Sequence, residues 1–211
     1  CGTARKLGGQ PRTQTSFLNS RESKLLAAKP SHSNFIPMAP SVIRWHDTID
    51  EPWLKLTPIR VGDVPSGCGI PEKYILFSQH EQPILRIDAY RSFEESYPFN
   101  DAIHWNDFFV VGWGDCAYLI DIESGAIVKL KLGIYFGHLY PHPEYLLIAS
   151  GERLWCINRS GSIEWTSDML GIDGVVVHDV THGIISGEGE WDPPGGWQPF
   201  AIMLDSGHRA K

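Results

Sequence analysis

The sequence predicts an all-β fold assembled from repeated antiparallel units. The clearest observation is an internal repeat with a fixed offset of 37 residues: Val111, Gly114, Tyr118 and Asp121 match Ile148, Gly151, Trp155 and Asn158. Short apolar runs separated by glycine-containing turns are a second indication of β-strands. The composition, with 8 Trp, 21 Gly and 15 Pro, also favours a turn-rich β fold. Four short strands repeating at about 40 residues are typical of a propeller blade. We therefore predict a small or partial β-propeller of about four antiparallel blades.

The N-terminal 40 residues differ in charge from the rest of the chain. They contain six Lys and Arg against one acidic residue, whereas the remaining residues contain 12 against 24. With few aromatic residues and no sustained periodicity, residues 1–40 are predicted to form a flexible basic tail, and residues 41–211 the all-β repeat domain. A targeting segment is an alternative interpretation of this acid-poor stretch. The expected location is cytoplasmic, or lipid-anchored through Cys1 if the chain is a mature lipoprotein.

Four short apolar segments precede the clear repeats. Residues 41–46 alternate as in a short strand, and residues 53–60 are extended but interrupted by a proline, which predicts an edge strand. Residues 74–77 and 83–88 are predicted to form an antiparallel pair. These segments resemble the later units only loosely, because their spacing has drifted.

The first strand is also a candidate for closing the array of blades. The spacing of Ile43 and Trp45 recurs at the end of the second clear repeat, whereas the third repeat lacks an outer strand. We therefore predict that residues 42–46 pair with the last sheet, near Met203. Such pairing would protect an exposed strand edge.

Three clear repeats cover residues 103–130, 140–165 and 175–207. The third differs from the others by an insertion of about ten residues at its second turn, over residues 188–197. This insertion contains two Trp, a Pro-Pro pair and a Gly-Gly pair, which predict a stiff, aromatic and acidic loop. Its two Trp either cap one end of the molecule or form an exposed contact surface.

The repeat pattern is an apolar strand, a Gly, an aromatic-x-Ile-Asp segment, a second Gly and an Ile-x-Trp strand. This pattern resembles the blades of quinoprotein-type (PQQ-like) β-propellers. The resemblance implies the fold, but no cofactor residue of those enzymes maps onto this chain, and no cofactor is expected. The residues that carry it are Val111, Gly114, Tyr118, Asp121, Gly125, Ile127, Ile148, Gly151, Trp155, Asn158, Gly161, Ile163 and Trp165.

A second resemblance concerns the third repeat. The residues that carry it are Asp173, Gly174, Gly187, residues 191–196, Trp197 and Phe200. They are similar to a group of small bacterial proteins that neutralise a cognate toxin. This resemblance implies an immunity protein.

Several function classes are disfavoured by the sequence. It has no nucleophile motif, P-loop, dinucleotide fingerprint or metal-binding His-Glu helix, so we predict a protein without enzymatic activity. The acidic body argues against nucleic acid as a partner. No run approaches the roughly 18 apolar residues of a transmembrane segment. His138 and His142 lie beside prolines, which favours a solvated turn over a metal site, and Cys116 and Cys156 lie in predicted strands as small buried hydrophobes.

A partner-binding surface is predicted where the second turns of the units gather on one face. Those turns contain Trp113, Asp115, Glu152, Arg153, Glu188, Glu190, Trp191, Asp192 and Trp197. An acidic, Trp-bearing face favours a basic protein, such as a toxin. The alternative is a small-molecule or glycan-binding β-propeller, with or without hydrolase activity, that uses Trp113, Trp191 and Trp197 as stacking platforms. A third interpretation is a fragment of a larger propeller.

Overall fold

The structure is a computed structural model that describes residues 42–91, 99–192 and 194–210. The predicted basic tail, residues 1–40, lies outside the described residues. In the described ranges, fifteen strands form four small sheets, which confirms the all-β fold of about four blade-like units. Within the described part of the chain, the single helix is a three-residue 3-10 turn, Trp53–Lys55, and no helix is long enough to cross a membrane.

The four sheets follow one another along the chain. Sheet I contains β1 (Val42–His46), β2 (Ile59–Gly62), β3 (Lys73–Gln79) and β4 (Gln82–Tyr90). Sheet II contains β5 (Asp101–Trp105), β6 (Phe108–Trp113), β7 (Cys116–Asp121) and β8 (Ile127–Lys131). Sheet III contains β9 (Phe136–Pro141), β10 (Tyr145–Ser150), β11 (Leu154–Asn158) and β12 (Ile163–Thr166). Sheet IV contains β13 (Val175–Thr181), β14 (Ile184–Trp191) and β15 (Gly196–Met203).

Sheets II, III and IV are simple antiparallel meanders in which each strand pairs with the next. The three predicted repeats therefore correspond to three sheets. The polar residue that ends the third strand orders the turn that follows. The Asp121 carboxylate accepts hydrogen bonds from the Ser124 amide at 2.7 Å and from its hydroxyl, and the Asn158 side-chain oxygen accepts one from the Ser160 amide at 3.0 Å. This shared role explains why the two positions recur at the repeat offset.

The central strands are buried on both faces. In β10, Leu146 and Ile148 pack in a core between sheets II and III, whereas Leu147 and Ala149 pack in a core between sheets III and IV. Successive side chains of a strand point to opposite faces, so a strand between two cores must be apolar at consecutive positions. The same reason accounts for the apolar run of β6, which lies between the core of sheets I and II and the core of sheets II and III.

Aromatic side chains also connect neighbouring sheets by hydrogen bonds. The indole of Trp105 donates to the His142 carbonyl at 2.7 Å, which links sheet II to sheet III. The Tyr140 hydroxyl accepts from the Val177 amide at 3.0 Å, which links sheet III to sheet IV. Each residue thus contacts the unit that follows its own.

The prediction that residues 42–46 pair with the last sheet is wrong. Strand β1 pairs with β3 in sheet I, where Trp45 stacks on Trp113 with ring centroids 5.8 Å apart. The position beside Met203 is occupied by the C-terminal segment, because the Met203 amide donates to the His208 carbonyl at 2.8 Å. Burial of apolar side chains against sheet II therefore determines where β1 lies.

Sheet I also differs from the other sheets in its connections. Its strand order is β1-β3-β4-β2, and β2 pairs with β4 in parallel. Strands β3 and β4 form the predicted antiparallel pair. Within residues 42–91, 99–192 and 194–210, no strand of sheet I pairs with a strand of sheet IV. The three apolar cores join I to II, II to III and III to IV.

Candidate functional site

The insertion in the third repeat forms the end of a long hairpin rather than an irregular loop. Strands β14 and β15 pair without a register shift up to Trp191 and Gly196. The Gly195 amide donates to the Asp192 carbonyl at 2.7 Å and closes the turn. Side chains of residues 184–191 alternate between the two faces of the sheet, as β-strand pairing requires. The inserted residues therefore lengthen the paired strands β14 and β15 and do not form an unpaired loop.

The hairpin has one face toward the core and one face away from it. On the inward side, Ile185 lies opposite Ile202, and Gly187 lies opposite Phe200. Directly paired residues share a face and alternate along each strand, so the intervening residues point outward. We call this outward surface the acidic end face, and it consists of Ile184, Ser186, Glu188, Glu190, Trp197, Pro199, Ala201 and Met203.

The acidic end face exposes large apolar side chains. Trp197 is 46% exposed, Ile184 is 37% exposed and Met203 is 36% exposed. The Trp197 ring lies over Gly174, because a Cβ added at Gly174 would lie 2.9 Å from its outer edge. A glycine at this position therefore leaves room for the indole, and the ring is held in place while one side stays open to solvent.

Carboxylates lie beside this exposed indole. Glu190 is directly opposite Trp197 in the ladder, and Glu188 is one pair further along, opposite Pro199. The Glu188 carboxylate lies 3.7 Å from the His178 imidazole. In the part of the chain that the structure describes, Glu190 and Asp192 form no ion pair. Glu190 therefore contributes to the end face a negative charge that no cation of the described residues pairs with.

The turn residues of sheets II and III have partners within the protein. Asp115 accepts a hydrogen bond from the Cys116 thiol at 3.0 Å and pairs with Lys131. Burial by itself raises the pKa of Asp115, but the hydrogen bonds from Cys116 and Lys131 outweigh it and hold the pKa below its usual value. Arg153 donates to the Ser167 carbonyl at 3.0 Å, and Glu152 is half-buried. Asp115 and Arg153 thus support their own turns.

Trp113 is not on the surface. It is 2% exposed, and its indole donates to the Tyr90 carbonyl at 2.8 Å. The Arg91 guanidinium lies 5.0 Å from the centre of its ring. A buried ring cannot contact a partner. Trp113 is therefore a core residue and does not belong to the predicted partner-binding surface. Trp191 is half-buried on the opposite side of the hairpin from Trp197.

A tyrosine that the sequence did not single out connects two inter-sheet segments. Tyr135, just before β9, donates its hydroxyl to the Asp173 carbonyl at 2.5 Å, just before β13. Burial and the Asp173 carboxylate raise the pKa of Tyr135 to about 12. Tyr135 also packs near Phe99, with ring centroids 6.2 Å apart. Tyr135 and Phe99 lie in connections between strands that show no hydrophobic periodicity. No sequence signal therefore distinguishes them from other aromatic residues in loops.

The two histidines near the turn of sheet III have separate surroundings. His138 packs 4.9 Å from the Phe99 ring, and His142 stacks on Tyr145 at 4.3 Å. The His142 ring nitrogen accepts a hydrogen bond from the Glu144 amide at 3.2 Å, which stabilises the turn. Among the described residues, no three His, Cys, Asp or Glu side chains are grouped to hold a metal ion.

The described cysteines are predicted to differ sharply in reactivity. Cys116 and Cys156 are buried, and burial is the main reason that the pKa of each thiol is raised to about 11. Cys68 is exposed. Thiolates react with alkylating agents only where the reagent reaches them, so iodoacetamide should label the exposed Cys68 and leave the buried Cys116 and Cys156 unlabelled. Mass spectrometry of a Cys1→Ser variant treated with iodoacetamide, native and in denaturant, measures this. Labelling of either strand cysteine in the native protein at the rate of Cys68 would contradict the burial.

Comparison of the chain with protein-family models found no match, and comparison with curated proteins found none either.

Proposed function

We propose that this protein binds another protein without catalysing a reaction, and that the acidic end face receives a basic surface of its partner. The observation that carries the proposal is the exposed Trp197 beside Glu188 and Glu190 on the outward face of sheet IV, which no other described sheet covers. The corresponding faces of sheets II and III are covered by their neighbours. Exposed apolar area on a sheet face is typical of an interaction site.

The charge of the chain supports a basic partner. Beyond residue 40 the chain has 12 Lys and Arg against 24 acidic residues. Complementary charge raises association rates and suppresses wrong partners, while a desolvated Trp supplies binding energy. The acidic charge and the exposed Trp197, together with the resemblance to toxin-neutralising proteins, favour a basic toxin as the partner. The function would then be neutralisation of the toxin by direct contact.

The alternative function receives less support. A small-molecule or glycan site was predicted to use Trp113, Trp191 and Trp197 as stacking platforms. Because Trp113 is buried and Trp191 lies on the other side of the hairpin from Trp197, these rings do not line a common site.

The proposal is tested by replacing residues of the acidic end face. The purified basic partner, captured from the source cells with the wild-type chain, is titrated against Trp197→Ala and against Glu188→Lys/Glu190→Lys. Loss of an anchoring Trp is expected to weaken binding by about 2 kcal/mol, which is about a 30-fold rise in Kd. The charge reversal is expected to weaken binding and also to reduce its dependence on salt.

A matched control separates the position of the charges from their number. Glu81→Lys/Glu123→Lys changes the net charge by the same amount at two exposed turns outside the end face. This control should bind within about twofold of wild type. If it weakens binding as much as the end-face reversal, or if Trp197→Ala binds normally, the acidic end face is not the binding surface.

A further inference from the structure

Strand β8 forms an open edge of sheet II. It pairs with β7 on one side, and within the described chain no strand pairs with its other side. Leu130 is half-buried, whereas Ile127 and Val128 are 44% and 51% exposed. The strand contains no proline, and no bulge interrupts its pairing with β7. An edge of this kind presents backbone donors and acceptors that an added strand can use.

The hydrogen bonds between β7 and β8 identify the backbone groups on this edge. Just beyond β8, the Leu132 amide donates to the Asp115 carbonyl at 2.8 Å. Hydrogen-bonded and non-hydrogen-bonded pairs alternate along an antiparallel ladder, so the backbone at positions 128 and 130 also bonds to β7. The amides and carbonyls that point away from β7 belong to Ile127, Lys129 and Lys131. Among the described residues, these groups have no backbone partner.

The C-terminal segment covers part of the outer edges of sheets III and IV. Ile202 of β15 forms a β-bridge with Arg209, and the indole of Trp165 in β12 donates to the Leu204 carbonyl at 2.7 Å. In the part of the chain that the structure describes, β8 forms no bridge with another sheet. The outer edge of sheet II is therefore open where those of sheets III and IV are partly occupied.

Apolar side chains flank the open edge on both faces of sheet II. Val128 lies on the face toward sheet III, and Ile127 shares the opposite face with Ile120, its partner in β7. Ile120 also lines a cavity of about 80 Å³ between sheets I and II. A cavity of roughly 150 Å³ holds a benzene ring, so this smaller one suits an aliphatic side chain. The other apolar side chains that line it belong to Ile59, Ile84, Leu85, Phe109 and Ile122.

The charge on this edge favours an acidic segment. Lys129 lies on the same face as Ile127, and in the described ranges it forms no ion pair. Lys131 pairs with Asp115 instead. Opposite charges on directly paired residues stabilise a sheet and like charges destabilise it, so Lys129 favours a carboxylate across the edge. A second β8 would bring the lysines of two copies together, and lysines on an edge strand discourage such pairing.

We propose that an extended segment of another protein adds to β8 as a fifth strand of the four-stranded sheet II. Its backbone pairs with the outward groups of Ile127, Lys129 and Lys131. An acidic side chain lies opposite Lys129, and aliphatic side chains lie opposite Ile127 and Val128. In this mode of recognition, main-chain hydrogen bonds supply affinity and the alternating side chains supply specificity. The edge is separate from the acidic end face, so this inference goes beyond the proposed function and does not depend on it.

Hydrogen exchange of the full chain, followed by NMR, tests whether the edge is open. The amides of Ile127, Lys129 and Lys131 should exchange at least about tenfold faster than those of Val128 and Leu130, which bond to β7. Slow exchange of the outward amides would overturn the inference, because another part of the chain would then cover them. Protection that grows with protein concentration would also overturn it and would assign the edge to a second copy.

The binding probe is the peptide acetyl-Ser-Thr-Val-Glu-Val-Ile-Ser-amide. Antiparallel pairing places its glutamate opposite Lys129 and its isoleucine opposite Ile127. Titration should give a Kd below about 1 mM and slow the exchange of the outward amides by at least about tenfold. N-methylation of the glutamate removes an N–H that points toward β8 and should abolish binding. N-methylation of the valine that follows removes an N–H that points away, so the Kd should stay within about threefold.

Charge exchange across the edge tests the register. Lys129→Glu should raise the Kd for this peptide by at least about fivefold, and a peptide with lysine in place of its glutamate should recover the affinity. Circular dichroism verifies that the variant is folded. Failure of the first peptide to bind at about 1 mM would overturn the inference. Binding that leaves the outward amides unprotected, or normal binding of the peptide N-methylated at its glutamate, would also overturn it, because the contact would not be strand pairing.

Discussion

Replacing Trp113 with Ala is expected to lower the free energy of unfolding by about 3–5 kcal/mol, the range for removal of a large buried aromatic side chain. The ring packs against Trp45 in the core between sheets I and II, and its removal leaves a cavity that the surrounding strands cannot fill. The substitution also leaves the buried Tyr90 carbonyl without its indole donor. Denaturation by urea, followed by far-UV circular dichroism, measures the loss.

Two variants serve as controls for Trp113→Ala. Trp113→Phe keeps most of the aromatic volume and loses the hydrogen bond, so its effect should be smaller. Trp197→Ala removes an indole that is largely exposed, and it should change stability by less than about 1 kcal/mol. Equal losses at Trp113 and Trp197 would mean that both rings are core and that the acidic end face is misassigned.

Substitution of Gly189 by Ala is expected to destabilise the protein by about 3 kcal/mol, the upper end of the usual range for overpacking. A Cβ at this position would lie 1.9 Å from the Leu170 carbonyl oxygen, which belongs to the backbone and cannot rotate away. Sheet IV approaches the connection from sheet III so closely that no side chain fits between them. Gly67, whose surroundings are open, provides the matched control, and Gly67→Ala should remain within about 0.5 kcal/mol of wild type.

The Gly189 substitution should also weaken partner binding, although Gly189 does not reach the outward surface. It lies between Glu188 and Glu190 in β14, so a shift of the backbone at this point moves both carboxylates. Titration of the basic partner at a temperature where Gly189→Ala remains folded measures the effect. Normal binding by a destabilised Gly189→Ala variant would show that the position of these carboxylates is not critical.

The repeated architecture was predictable because the residues that order each turn and the apolar residues that fill each core recur at the same spacing in successive units. Asp121 and Asn158 end equivalent strands and order equivalent turns, so the same chemistry recurs at the same offset. The apolar run of β10 follows from burial on both faces. Such features depend on the unit and its immediate neighbours, and a single sequence contains enough information to reveal them.

The sequence-based predictions were wrong where the environment of a residue depends on a segment that is distant in the sequence. Trp113 and Trp197 both lie near a strand end beside a turn glycine, but the packing of sheet I onto sheet II buries Trp113. Strand β1 has the Ile-x-Trp spacing of an outer strand, yet its apolar side chains contact sheet II. Spacing defines which residues share a face, whereas the identity of the surface that covers this face is a property of the tertiary structure.

Neighbour-to-neighbour hydrogen bonds such as Trp105 to His142 and Val177 to Tyr140 give the protein the energetics of a one-dimensional array. Sheets II and III are coupled on both sides, whereas sheets I and IV each have a single coupled interface. Amide hydrogens of sheets I and IV should therefore exchange with solvent through local opening of those sheets. Hydrogen-bonded amides of sheets II and III should exchange only on global unfolding. When sheet IV frays, the amides of β14 and β15, the strands that carry the acidic end face, become accessible to solvent. A partner docked there would act as an additional neighbour in the array and slow the exchange of β13, β14 and β15.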